Sequence, residues 1–121
     1  MDVTATKVYR ISAAHLLPGH PVCGRLHGHN YKVELSIRGP LDAQGMILDF
    51  SEMKEHLDMV VGRHDHARAT FGRALHEVFE WPTTAENLAS HWLSLLHDLD
   101  ERYFKLRVWE TDDSYAEASV D

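Results

Sequence analysis

Alternating apolar and polar positions predict three β-strands in this chain. Residues 3–15 carry one mostly apolar parity from Tyr9 onward, residues 27–38 alternate most regularly, and residues 103–111 repeat the pattern. Residues 115–120 are expected to add a final short strand or to fray. Two prolines and a glycine between residues 17 and 21 interrupt both the helical and the strand period, so a loop joins the first two strands.

Two amphipathic helices are predicted between the second and third strands. Residues 50–61 form the first, with Asp49 as N-cap and Glu52 three residues later, and the apolar face comprises Phe50, Met53, Leu57, Val60 and Val61. A second capping pattern, Thr83 followed by Glu86, precedes an apolar stripe of Leu88, Trp92, Leu95, Leu96 and Leu99. Residues 63–82 are harder to interpret, because Leu75 to Phe79 fit either a short helix or an extended segment.

The element order ββααββ predicts an α+β fold with an antiparallel β-sheet. Strands and helices do not alternate, which argues against a doubly wound sheet, and both helices are expected on one face. At 121 residues the chain is expected to form a single domain, residues 1–121. A sheet of three or four strands leaves its edges unpaired, so a homo-oligomer is expected.

Composition narrows the possible partners. The formal charge of −7 argues against nucleic-acid binding, and a polyanionic substrate would need a local basic patch. The chain has no run of about 18 apolar residues and no signal-peptide pattern, so no membrane association is expected. A single cysteine allows no internal disulfide. These features together predict a cytoplasmic protein.

Three histidines are placed as metal ligands would be. His27 and His29 share a strand parity with the apolar Tyr31, and His15 ends the apolar parity of the first strand. If these strands pair antiparallel, His15 comes close to the other two. Three imidazoles with an open fourth position are typical of catalytic zinc. The residues alone leave a second interpretation open, in which unrelated histidines form local hydrogen bonds.

Cys23 stands four residues before His27, on the predicted loop and beside Arg25. Positive surroundings lower the pKa of a thiol and favour the thiolate. The cysteine is therefore a candidate zinc ligand, general base or nucleophile. The simpler alternative is that it is a small buried hydrophobic residue. The spacing alone does not decide between these roles.

Two further carboxylates are candidates. Asp65 stands next to His66 in a polar segment, although a solvated surface turn is the simpler explanation of that pair. Glu110 shares the parity of Phe104, Leu106 and Val108, so it ends an apolar row. A carboxylate at such a position either has a dedicated partner or marks the point where the strand reaches solvent.

These residues lie in segments that resemble the 6-pyruvoyltetrahydropterin synthase superfamily. The matching segments occur in family order: ISAAH at 11–15, CGRLHGHNY at 23–31, GMILDF at 45–50, DH at 65–66, PTTAENLA at 82–89 and VWET at 108–111. The segment around Cys23 is the most specific. Its four-residue spacing from cysteine to histidine most resembles the bacterial 6-carboxy-5,6,7,8-tetrahydropterin synthases of queuosine biosynthesis.

The resemblance implies a tunnelling fold whose trimers close into a barrel and often pair as hexamers. It implies Zn²⁺ held by His15, His27 and His29. It also implies a role for each remaining candidate: a catalytic base at Cys23, a proton relay at Asp65 and His66, a pterin-anchoring and catalytic carboxylate at Glu110, and a pocket residue at Thr84.

The implied enzyme is a zinc-dependent lyase that converts 7,8-dihydroneopterin triphosphate and water to 6-carboxy-5,6,7,8-tetrahydropterin, acetaldehyde and triphosphate. Arg10, Arg25 or Lys32 would meet the triphosphate. Two alternatives stay open: a related pterin side-chain lyase that releases 6-pyruvoyltetrahydropterin or a cleaved dihydropterin, and a non-catalytic zinc- or pterin-binding module. Residues 64–81 depart from the family, because the leucine before Asp65 and the Leu-Asn shortly after His66 are missing.

Overall fold

The computed structural model describes residues 1–15, 17, 19, 27–65 and 74–121, without the side chain of His27. In this part of the chain one antiparallel sheet has the strand order β1-β2-β3-β4. The strands are β1 Val3–His15, β2 His27–Gly39, β3 Tyr103–Thr111 and β4 Ser114–Ser119. The helices are α1 Phe50–Val60, α2 Leu75–Val78 and α3 Ala85–Leu99, with a short 3₁₀ turn at Gly62–His64. The predicted α+β fold is confirmed, and α2 shows that the segment before Pro82 contains a short helix.

The alternating pattern of the first two strands determines which face of the sheet is buried. In β2, Tyr31, Val33, Leu35 and Ile37 are completely buried, and in β1 the row from Tyr9 to His15 points the same way. Helix α3 packs on β3 and β4, and α1 lies against α3 and β1. Removing these apolar side chains from water stabilises the fold by about 25 cal/mol per Å². The opposite face carries polar side chains.

Helix α1 begins where the sequence predicted. The Asp49 carboxylate caps it by accepting the Ser51 N–H at 2.8 Å, and this bond lowers the pKa of Asp49. Met53 and Leu57 are buried as predicted, but Phe50 is 51% exposed, so its predicted core position is wrong. The first turn of α1 thus extends beyond the packed part of the helix.

The N-cap of α3 is one residue later than predicted. Thr84, not Thr83, is the N-cap, because its hydroxyl oxygen accepts the Asn87 N–H at 3.1 Å. The apolar stripe is confirmed for three of its members, Leu88, Trp92 and Leu96. Leu95 and Leu99 are 40% and 46% exposed, and small or branched residues take their place in the buried face: Ala85, Ala89 and Leu93.

None of the helices in the described residues is long and apolar enough to cross a membrane.

A β-bulge changes the side-chain direction at the start of β3. The register shifts so that Lys105 pairs with Ser36 while Tyr103 pairs with Ile37. Tyr103 is therefore buried, and Phe104 lies under the guanidinium of Arg38, 4.4 Å from the ring centroid. The predicted core position of Phe104 is wrong, because one extra residue in a strand reverses which face each preceding side chain takes.

His64 stacks on Trp92 inside the helical layer. The ring centroids are 6.0 Å apart, and Phe79 lies 5.1 Å from the same imidazole. Burial, with smaller contributions from the charges of Arg63 and His91, lowers the pKa of His64 from 6.5 to about 4. The fold therefore holds this histidine in its neutral form.

We expect the free energy of unfolding to fall on acidification because of His64. Below pH 6.5 the unfolded chain takes up a proton that the folded chain binds only near pH 4. The loss is roughly 1 kcal/mol between pH 7 and pH 5, after halving the full effect for solvent screening. Urea unfolding at both pH values measures it. His64→Phe is expected to reduce the loss and the control Arg63→Gln to retain most of it; an equal loss in His64→Phe would assign the effect to other groups.

Candidate metal centre and active site

His15 and His29 meet at the end of the first strand pair. In the register of β1 and β2, His15 faces His27 and Ala13 faces His29, as the antiparallel pairing predicted. His15 is 1% exposed and continues the buried row of β1. The imidazole centroids of His15 and His29 are 5.1 Å apart in an edge-to-face arrangement, and the Tyr31 ring lies 5.4 Å from His29. Strand parity therefore brings two of the predicted metal ligands together.

A backbone carbonyl determines the tautomer of His15. Its Nδ1 lies 2.8 Å from the Thr83 carbonyl oxygen and 3.3 Å from the Thr83 hydroxyl. A carbonyl only accepts, so Nδ1 carries the hydrogen and donates it, and the lone pair of the neutral ring is on Nε2. Histidines that bind metals are usually oriented by such a bond from the other ring nitrogen.

Glu110 joins the two histidines. One ligand atom from each of His15, His29 and Glu110 lies within 4.8 Å of the other two. The register between β3 and β4 shifts between Trp109 and Thr111, so Glu110 is the extra residue of a second bulge. Bulges re-aim side chains near functional sites. Glu110 therefore lies beside the two histidines in the described structure.

The donor set fits a divalent metal ion. Two imidazole nitrogens and a carboxylate oxygen are ligand types that Zn²⁺ accepts, with bonds of about 2.0–2.2 Å. Two ligand atoms bound to the same ion are then at most about 4.4 Å apart. Small rotations of the three side chains would therefore bring their ligand atoms within bonding distance of one ion. The side chain of the third predicted ligand, His27, lies outside the described residues, although its backbone pairs with His15.

Asp65 lies against the edge strand β1 and is not among the three grouped ligands. It is 6% exposed, and its Oδ1 accepts the backbone N–H of Ser12 at 3.2 Å. A solvated surface turn is therefore the wrong description of this carboxylate. Asp65 lines a cavity together with Arg10 and Lys32. Its predicted relay partner, His66, and the predicted base, Cys23, with Arg25 beside it, lie outside the described residues.

Glu110 borders a second cavity, of about 350 Å³, next to the start of α3. Ala85 and Glu86 line it together with the β4 residues Ser114, Tyr115 and Ala116. Thr84, the predicted pocket residue, directly precedes this wall, but its hydroxyl is engaged in capping α3. Glu110 thus lines this cavity, whereas the Thr84 hydroxyl is committed to the helix cap.

Thr83 is the site residue that the sequence reasoning assigned wrongly. It was expected to cap α3, yet it is completely buried and holds His15. The chain carries no local signal for Thr84, since Thr83 followed by Glu86 fits the capping box better. The Asn87 side chain also donates to the Pro82 carbonyl at 2.8 Å, which closes the turn that presents Thr83.

The chain is similar to known proteins over most of its length. A family model described as 6-pyruvoyl tetrahydropterin synthase matches residues 4–120. A protein of Archaeoglobus fulgidus, provisionally named 6-carboxy-5,6,7,8-tetrahydropterin synthase, is 40% identical over 106 residues, which are 88% of this chain and 86% of that one. The 6-carboxy-5,6,7,8-tetrahydropterin synthase of Haemophilus influenzae is 34% identical over 134 aligned residues, covering 93% and 95%.

The fold is also that of a solved structure. The Caenorhabditis elegans 6-pyruvoyl tetrahydropterin synthase superposes with a TM-score of 0.80 at 23% identity, covering 100% of this chain and 97% of that one. The likeness in structure shows a shared fold, and the family model and the two relatives add the shared sequence. The chain therefore belongs to the 6-pyruvoyl tetrahydropterin synthase family.

Proposed function

We propose that the protein is a zinc-dependent 6-carboxytetrahydropterin synthase. Its reaction converts 7,8-dihydroneopterin triphosphate and water to 6-carboxy-5,6,7,8-tetrahydropterin, acetaldehyde and triphosphate, as a cytoplasmic step towards queuosine. The observation that carries the proposal is the approach of His15, His29 and Glu110 within 4.8 Å in a chain of this family. The names of the two relatives at 40% and 34% identity favour the carboxylated product.

His15, His27 and His29 are proposed to hold the zinc. The bond from His15 Nδ1–H to the Thr83 carbonyl presents Nε2 as the ligand atom. The ion would supply Lewis acidity, which polarises the hydroxyl oxygens of the substrate side chain and acidifies the adjacent C–H. Cys23 is proposed to remove that proton as the general base, in its thiolate form.

Glu110 is proposed to anchor the pterin ring beside the metal. A carboxylate accepts two hydrogen bonds side by side, which matches the amino group and ring N–H on one edge of a pterin. The cavity next to Glu110 is bordered by the first residues of α3. Thr84, which directly precedes them, is proposed to contribute to this pocket through its backbone, because its hydroxyl caps α3. This arrangement holds the side chain of the substrate towards the histidines.

Asp65 and His66 are proposed to relay protons, and their site is formed with a neighbouring copy of the chain. Asp65 is bonded to the backbone of β1, an edge strand of the sheet. Unpaired edges favour pairing with another chain. A trimer or hexamer that joins sheets at this edge would bring Asp65 of one copy towards the site of the next.

The product formed from 7,8-dihydroneopterin triphosphate tests the proposal. We expect the zinc-loaded enzyme to release 6-carboxytetrahydropterin and acetaldehyde in equal amounts, measured by mass spectrometry and an acetaldehyde-trapping assay. Release of 6-pyruvoyltetrahydropterin, or of a dihydropterin with a shortened side chain, would replace this proposal with a related lyase activity. Zinc and pterin binding without turnover would indicate a binding module.

A further inference from the structure

The orientation of His15 depends on the turn that precedes α3. Thr83, in the middle of this turn of residues 82–84, is completely buried, and its carbonyl oxygen accepts the His15 Nδ1–H at 2.8 Å. The two residues are 68 positions apart along the chain, so only the folded structure brings them together. Whatever fixes the position of the Thr83 carbonyl therefore also fixes which ring nitrogen of His15 is presented as a ligand.

The helix itself does not hold the Thr83 carbonyl. Helical bonding begins one residue later, at the carbonyl of Thr84, which accepts the Leu88 N–H at 2.9 Å. Backbone groups before an N-cap lie outside the ladder of helical hydrogen bonds. Pro82 has no N–H, so it can contribute only its carbonyl to holding the turn. The turn thus depends on side-chain hydrogen bonds for its shape.

Asn87 supplies such bonds on both sides of Thr83. Its side-chain amide donates to the Pro82 carbonyl at 2.8 Å, and its backbone N–H donates to the Thr84 hydroxyl at 3.1 Å. The next residue, Leu88, is completely buried, which anchors the backbone at Asn87 in the core. One residue in the first turn of α3 therefore ties down the residues before and after the carbonyl that His15 uses.

We infer that Asn87 is a positioning residue of the metal centre. It acts through Pro82 and Thr83, keeping the hydrogen of His15 on Nδ1 and the lone pair on Nε2. Losing an outer-shell partner of a ligand costs about 10–100-fold in metal affinity. Asn87 is exposed and one step further from the ligand, so we expect the lower end of that range. The inference rests on the proposed metal centre but not on the substrate or the reaction.

Asn87→Asp separates positioning from support of the fold. Aspartate is close to asparagine in size but has no amide hydrogens to donate to Pro82. Its negative charge suits the third residue of a helix, so α3 should lose no stability. We expect zinc affinity, measured by competition with a chromophoric chelator, to fall about tenfold. The urea midpoint should stay at the wild-type value or rise. Asn87→Ala should show the same loss of affinity.

The imidazole of His15 provides a second measurement that needs no metal. In ¹⁵N-edited NMR spectra of the metal-free protein, we expect the wild-type ring to be a single tautomer with a slowly exchanging Nδ1 proton. In Asn87→Asp this proton should exchange faster and the second tautomer should appear. The matched control is Ser94→Ala, which removes another exposed bond on α3, from the Ser94 hydroxyl to the His91 carbonyl at 2.7 Å. It should keep both the zinc affinity and the ring signal of the wild type.

The outcomes distinguish this inference from the proposed function. Wild-type zinc affinity and an unchanged His15 ring signal in Asn87→Asp would overturn the inference and leave the lyase proposal intact. Weaker zinc binding with a lowered urea midpoint and an unchanged ring signal would make Asn87 a purely structural residue, which also overturns it. Weaker zinc binding with faster ring-proton exchange, in a protein that cleaves no pterin, would support the inference and reject the lyase.

Discussion

Replacing Cys23 with alanine is expected to lower kcat by about 10²–10⁴-fold while zinc remains bound, because a general base contributes a rate factor of that size. The proposed metal set does not include the thiol. Turnover of 7,8-dihydroneopterin triphosphate and zinc content by elemental analysis are measured on the same protein sample. A plot of kcat against pH should also lose its thiol-dependent rise in the variant.

The control variant is Cys23→Ser, because serine is close to cysteine in size but its hydroxyl ionises far less readily than a thiol. Cys23→Ser should lose activity nearly as Cys23→Ala does and should keep its zinc. Loss of zinc in both variants would make the thiol a structural ligand, which contradicts its role as base. Full activity in either variant would assign the proton transfer to another residue.

His29→Ala is expected to weaken zinc binding by at least about a hundredfold, since loss of a direct ligand costs more than the 10–100-fold cost of losing an outer-shell partner. His29 is half-buried beside His15 and Tyr31, so the fold should tolerate the truncation better than at the fully buried His15. Competition with a chromophoric chelator measures the affinity. His91→Ala, another half-buried histidine that contacts Trp81 away from this group, is the matched control.

Glu110→Gln distinguishes the two roles open to that carboxylate. As a pterin anchor, Glu110 contributes little to zinc affinity, so the variant should keep its zinc and lose pterin binding. A loss of zinc as large as that in His29→Ala would instead make Glu110 a ligand, which its position within 4.8 Å of both histidines allows. Unchanged zinc affinity in His29→Ala would contradict the metal centre itself.

The strands and the histidine pair could be predicted because they depend on local periodicity. The period of two in β1 and β2 determines which side chains share a face, so His15 and His29 follow from the same pattern as Tyr31. Burial of one face makes the register strongly specified. The sequence was also sufficient to predict the N-cap at Asp49, because aspartate directly before an apolar helical pattern is among the preferred N-cap residues.

The bulges could not be predicted from the chain. Inserting one residue costs little locally and leaves no clear trace in composition, yet it turned Tyr103 inward and put Phe104 on the polar face. At the second bulge Glu110 has no pairing partner on β4, and its carboxylate approaches His15 and His29. A choice between Thr83 and Thr84 as cap was likewise decided by packing, because the buried His15 needed a carbonyl acceptor at Thr83.

The sequence by itself determined the class of the fold, the two facing histidines and the family resemblance, because these depend on neighbours along the chain or on short motifs. The tertiary structure alone decided that Glu110 approaches His15 and His29, that Asp65 lies at the edge strand, and that Arg10 and Lys32 face one cavity. Those relations join segments separated by tens of residues, and they follow from strand register and bulges that no local pattern encodes.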